Sequence, residues 1–70
     1  MDSHSQETLR RVQENDDTLE SLWIGIDYNG DSNGGFNSSS GSDFSTLGTC
    51  IGENTHLTKF FFFFNVITKI

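Results

Sequence analysis

The densest chemistry in the chain lies in Asn29-Gly30-Asp31-Ser32-Asn33-Gly34, where oxygen-bearing side chains alternate ahead of a glycine. That spacing shadows D-x-[DN]-x-[DN]-G, in which alternate carboxylates and amides face a calcium ion and the glycine makes the sharp bend. Here Asn29 replaces the first aspartate, and the twelfth position is Ser40 rather than a bidentate glutamate. A frame begun at Asp27 puts Ser32 at the glycine. The segment lacks flanking helical patterns, so it reads as a solvated linker and no metal is expected.

Other reactive side chains stand alone. His4 and His56 have no second metal ligand at useful spacing, and His56 is expected in solvent. Cys50 has no sequence partner that would mark it as a nucleophile, and reads as a small apolar group between helix and sheet. Asp16 and Asp17 fall in a turn and read as solvated. Asn37-Ser38-Ser39 is a formal glycosylation acceptor that matters only in a secreted chain. No G-x-S-x-G, phosphate loop, zincin motif or cysteine pair is present. No catalytic residue and no cofactor are expected.

Binding chemistry is more visible, and it is aromatic. Leu57-Thr58-Lys59-Phe60-Phe61-Phe62-Phe63-Phe64-Asn65-Val66-Ile67 fits L-x-x-L-x-L-x-x-N-x-L at every specified position, with Phe60, Phe62 and Ile67 in place of leucine. Leu19-Glu20-Ser21-Leu22-Trp23-Ile24-Gly25-Ile26-Asp27 carries its first two-thirds, with Asp27 at the asparagine. Successive side chains of a strand point to opposite faces. Leu22, Ile24, Phe60 and Phe62 therefore point inward, while Trp23 and Phe61 become neighbours on the outer face. Phe63 lies two residues further along that face, opposite Gly25, with Lys59 before it. Trp23, Lys59, Phe61 and Phe63 form the candidate partner-binding surface, since exposed aromatics are enriched where proteins bind. The competing reading is that a further repeat or another copy covers the rings.

The elements that position these residues follow from local pattern. Ser3 and Gln6 match a capping box for a helix over about 4–14, ended by Asn15-Asp16-Asp17. A strand runs from Leu19 to about Ile24. Between Asn29 and Ser45 only Phe36 and Phe44 are apolar, and such a tract buries too little surface to offset its ordering entropy. Ser42 or Asp43 can cap a second helix over about 44–53, with Phe44, Leu47 and Ile51 as one stripe. A second strand covers 60–64.

Leu22-Trp23-Ile24-Gly25, Leu47-Gly48 and Ile51-Gly52-Glu53-Asn54-Thr55-His56-Leu57 together resemble the ribonuclease-inhibitor-like class of leucine-rich repeat proteins. The likeness spans about residues 5–27 and 43–70. It implies helix–strand units stacked into a curved solenoid, with a parallel sheet on the concave side that binds proteins. The expected fold is α/β: a leucine-rich-repeat-type solenoid fragment of two short parallel strands, two helices and a disordered Gly/Ser/Asn loop. The units divide as 1–28 and 43–70, with the flexible loop at 29–42.

Composition narrows the partner. Net charge is −6 with only four basic residues, which argues against nucleic acid and against an anionic membrane surface. Seven acidic and two basic side chains fall in residues 1–27, leaving residues 28–70 near neutral. The apolar run beginning at Phe60 is far shorter than a bilayer span. The polar, acidic N-terminus has no secretory pattern, and a lone cysteine fits a reducing compartment, so an intracellular, cytoplasmic location is expected. Repeat arrays need about three or more units for stability, so a 70-residue chain is expected to be marginal and to self-associate through edge strands. Two functional readings stand: a non-catalytic interaction module or a fragment of one, and a truncated repeat remnant without independent function.

Overall fold

Asp2 starts the first helix, its Oδ1 accepting from the Ser5 backbone N–H at 2.8 Å. This cap lies one residue ahead of the expected Ser3–Gln6 box. The computed structural model describes residues 1–26 and 28–62, comprising α1 (Ser3–Gln13), β1 (Ser21–Ile24), β2 (Asn33–Phe36), α2 (Gly41–Glu53) and β3 (Lys59–Phe62). Ser40 occupies the cap position of α2. The strands form one parallel sheet in the order β2-β1-β3.

The chain is thus a small, open α/β domain with two helices and three parallel strands. The expectation of two strands is corrected by β2, which lies inside the tract read as loop. Phe36 supplies the reason. Its ring is fully buried and meets Phe44 edge-on, with ring centroids 5.4 Å apart. One large aromatic side chain, placed against α2, anchors a stretch whose average composition is that of a linker. Gly34, also in β2, seats Thr8 of α1 and Leu19 against the sheet. The core comprises Val12, Leu19, Leu22, Phe36 and Leu47.

An internal repeat orders the rest. Helix α1 starts at Ser3 and α2 at Gly41; β1 begins at Ser21 and β3 at Lys59. Both offsets are 38 residues, the spacing of Leu19 and Leu57 in the two motif copies. The sheet pairs the copies in that same register, Leu22 opposite Phe60, Trp23 opposite Phe61 and Ile24 opposite Phe62. Even the turns correspond. Asp16 Oδ1 accepts from the Thr18 backbone N–H at 2.9 Å, and Asn54 Oδ1 accepts from the His56 N–H at 2.7 Å. These are matching Asx turns, the local bonding that lets Asp and Asn reverse a chain.

The two turns also bind each other. Asn15, at φ 55°, ends α1 in the left-handed conformation that asparagine tolerates. Its amide donates to Thr55 Oγ1 at 2.9 Å and its carbonyl oxygen accepts from the Thr55 N–H at 2.8 Å. Asn54 Nδ2 donates to the Val12 carbonyl at 3.2 Å. Both helices cover the sheet face that carries Leu22, Gly34 and Phe60.

Candidate functional site

The opposite sheet face carries the predicted aromatic pair. Trp23 and Phe61 are stacked, with ring centroids 4.1 Å apart and planes 18° from parallel. Their β1–β3 register places them side by side, and the same parity brings Lys59 onto this face, exposed. Phe63 lies outside the described residues. Of the four expected contact residues, the structure therefore unites Trp23, Phe61 and Lys59.

Three residues absent from the sequence-based surface complete it. The chain leaves β1 at Gly25, whose φ of 100° suits glycine, and passes over β2 on the aromatic side. Gly35 makes that passage possible, because a Cβ there would lie 2.3 Å from the Tyr28 carbonyl oxygen and 2.5 Å from that of Ile26. Ile26, Tyr28 and Asn33 join Trp23 around a recess of about 260 Å³. The Trp23 indole N–H points to Asn33 Oδ1 at 3.4 Å, which orients the ring. Tyr28 is exposed. The signal for it was its place just after Gly25, where the chain must turn back beside Trp23.

The inward rings depart from expectation. Phe60 and Phe62 do share a face with Leu22 and Ile24, but they are 44% and 64% exposed. Helix α2 covers the middle of the sheet and leaves β3 flanked by an apolar groove of about 180 Å³. Leu22 and Ile24 form its floor, Phe44 and Ile51 one wall, and Phe60 and Phe62 the other.

The calcium-like segment does gather oxygens around a cation, and that cation is Arg11. Its guanidinium is buried and all five N–H groups are used. Nε donates to Asp16 Oδ2 at 2.8 Å; Nη1 donates to Asn29 Oδ1 at 2.7 Å and the Gly30 carbonyl at 2.8 Å. Nη2 donates to the Asp31 carbonyl at 2.6 Å and to Thr18 Oγ1 at 3.1 Å. Asp16, expected in solvent, is thereby held well below the usual carboxylate range by the Thr18 hydroxyl and then by Arg11. The sequence clue was Arg11 itself, which shares the inner face of α1 with Thr8 and Val12.

Charged groups elsewhere on α1 are also paired. Arg10 reaches Glu7 and Glu14, and its hydrogen bonds hold the Glu7 carboxyl below its ordinary value. Cys50 is half-buried against the core, as its apolar reading requires, whereas His56 is partly covered in its turn rather than fully solvated. Among the described residues, no group of three or more His, Cys, Asp or Glu side chains could hold a metal ion, and no helix is long and apolar enough to cross a membrane. The chain matches no family model, no curated protein and no solved structure.

Proposed function

We propose that the chain is a non-catalytic protein-interaction module of leucine-rich-repeat type, or part of one, which binds a partner on the sheet face turned away from its helices. The observation that carries this reading is the Trp23–Phe61 stack beside the Ile26–Tyr28 recess. A rigid aromatic platform next to an apolar hollow is the arrangement in which a few residues supply most of a binding energy. Lys59 and Asn33 edge the platform with polar groups that can fix a partner's orientation. The 38-residue helix–turn–strand repeat and its parallel pairing support the repeat-type reading.

Arg11, Asp16, Asn15 and Thr55 are engaged in holding the fold. The acidic charge favours a protein partner over nucleic acid or an anionic membrane. The single half-buried cysteine fits a cytoplasmic module.

Trp23 is the only tryptophan, so its fluorescence reports on this face alone. Peptides selected from a random display library on the immobilised chain should shift Trp23 emission and lose at least tenfold in affinity against folded Trp23→Ala and Phe61→Ala variants. Binders that leave the emission unchanged and tolerate both substitutions would place recognition elsewhere and defeat the proposal.

A further inference from the structure

Three walls of the aromatic recess are set by stacking or by backbone. Trp23 is held by its stack on Phe61, and Asn33 by its place in β2. Ile26 lies where the chain passes over Gly35, at a separation that leaves no room for a side chain between them. The fourth wall differs. The same passage fixes the Tyr28 backbone, but its ring is exposed and turns about its own side-chain bonds.

That ring rests on Gly30. A Cβ there would lie 2.6 Å from Tyr28 Oη and 3.1 Å from Cε2 and Cζ, so the phenol end occupies the place of a side chain. Gly30 lines the polar hollow around Arg11, and Tyr28 lines the aromatic recess, so the phenol separates the two. The glycine is pinned at both of its backbone polar groups. Its N–H donates to the Asn33 carbonyl at 2.7 Å, and its C=O accepts from Arg11 Nη1 at 2.8 Å. Arg11 also holds the neighbours on either side, Asn29 through Oδ1 and Asp31 through its carbonyl. Asn33 completes the connection, because its Oδ1 faces the Trp23 indole N–H at 3.4 Å. The seat of the Tyr28 ring and the opposite wall of the recess are therefore tied to one residue.

We propose that Gly30 determines the specificity of this recess: its lack of a side chain seats the Tyr28 phenol, and that seat sets the size of the partner side chain accepted. The proposal rests on the reading of the aromatic face as the binding surface. At about 260 Å³ the recess is smaller than the roughly 300–1,000 Å³ of small-molecule sites, and it suits one apolar or aromatic anchor side chain of a peptide.

Gly30 can be altered without disturbing the scaffold. It has no positive φ, so alanine is compatible with its backbone. The atoms in the way of a methyl group are the far end of a rotatable side chain, unlike those at Gly35, which are backbone. Gly30→Ala therefore moves the ring and leaves the chain path intact. Because Gly30 lies behind the phenol, the ring is pushed toward the recess and narrows it.

The seat is tested first without ligand. Emission and acrylamide quenching of Trp23 should change in Gly30→Ala, with the urea midpoint at or slightly above the wild-type value. The change should vanish in a Tyr28→Ala background and shrink in a Tyr28→Phe background, which lacks the Oη that comes closest. Peptides selected on the wild-type chain supply the second arm. Those that depend on Trp23 should lose about tenfold or more in affinity on Gly30→Ala, and less in the Tyr28→Phe background. A lowered urea midpoint, with the same optical change in all three Tyr28 backgrounds, would mean a loosened connection and overturn the proposal. Trp23-dependent peptides indifferent to Gly30→Ala would overturn it too, while leaving the binding face standing. Peptides indifferent to Trp23→Ala would remove the face and the proposal together.

Discussion

Arg11 and Asp16 bridge the end of α1 and the turn that follows it, with Nε donating to Oδ2 at 2.8 Å. The pair anchors more than its own turn, because the remaining guanidinium N–H groups hold Asn29, Gly30, Asp31 and Thr18. One side chain therefore ties the end of the β1–β2 connection to α1. That connection also carries Tyr28 and determines the shape of the aromatic recess.

Removing Arg11 should cost more than an ordinary surface substitution. Arg11→Ala leaves the Gly30 and Asp31 carbonyls and the Asp16 carboxylate without their donor, at a cost of about 3–5 kcal/mol. Arg11→Lys should recover little, because a single ammonium with three donors cannot span five acceptor sites in a planar fork. Thermal melts followed by circular dichroism would rank wild type well above Lys, and Lys at or slightly above Ala. A lysine variant as stable as wild type would show that the charge alone suffices.

Acid should weaken the same cluster. The Thr18 hydroxyl and Arg11 stabilise the ionised form of Asp16, so its folded-state titration lies below that of the unfolded chain. The resulting stabilisation is complete above the unfolded value, near pH 4, and is lost as pH falls through the folded one. The melting temperature should thus hold level on acidification to about pH 4.5 as far as Asp16 is concerned, then decline. Asp16→Asn should lower stability at neutral pH and flatten the acid limb. Glu7, also lowered by its Arg10 hydrogen bonds, would leave a residual slope. An unchanged acid limb in Asp16→Asn would remove Asp16 from the account.

The segment around Phe36 offers a sharper test, because composition and structure disagree there. Phe36→Ala should cost about 3–5 kcal/mol, the usual penalty for emptying a buried aromatic site. Nearby Ser39→Ala, on an exposed side chain, should change stability by less than about 0.5 kcal/mol. Equal, small effects in urea titrations would mean that the tract is the mobile linker its composition describes.

That disagreement shows where sequence was informative. The spacing from Leu19 to Leu57 carries the period, strand parity carries the Trp23–Phe61 pairing, and the apolar stripe Phe44-Leu47-Ile51 carries α2. These signals are local or repeated, so a single chain displays them. β2 is neither. Its Asn33-Gly34-Gly35-Phe36 has weak intrinsic strand preference, and it forms because Gly34 admits Thr8, Gly35 admits the chain near Tyr28, and Phe36 reaches α2. Each of these partners lies outside the strand itself, and Thr8 lies 26 residues away. The Arg11 cluster is hidden for the same cause, with three of its acceptors 18–20 residues downstream. The exposure of Phe60 and Phe62 depends on how far α2 reaches across the sheet, which a strand's alternation does not encode.

Two glycines of similar appearance should respond in opposite directions. At Gly35 an added methyl would meet the Tyr28 carbonyl oxygen at 2.3 Å and the Tyr28 nitrogen at 2.6 Å, both backbone atoms that cannot rotate away. Gly35→Ala must push Ile26 and Tyr28 off the sheet, and should cost about 2–4 kcal/mol while exposing Trp23 to quencher. Gly52 lies on α2 with nothing within 4 Å of the corresponding position, so Gly52→Ala gains helix propensity without a clash. It should stabilise by about 0.5–1 kcal/mol. Urea titrations of the two variants, with acrylamide quenching of the single tryptophan, separate the effects. If Gly35→Ala left both stability and quenching at wild-type values, the close passage of the chain over β2 would be wrong, and the recess beside Trp23 would go with it.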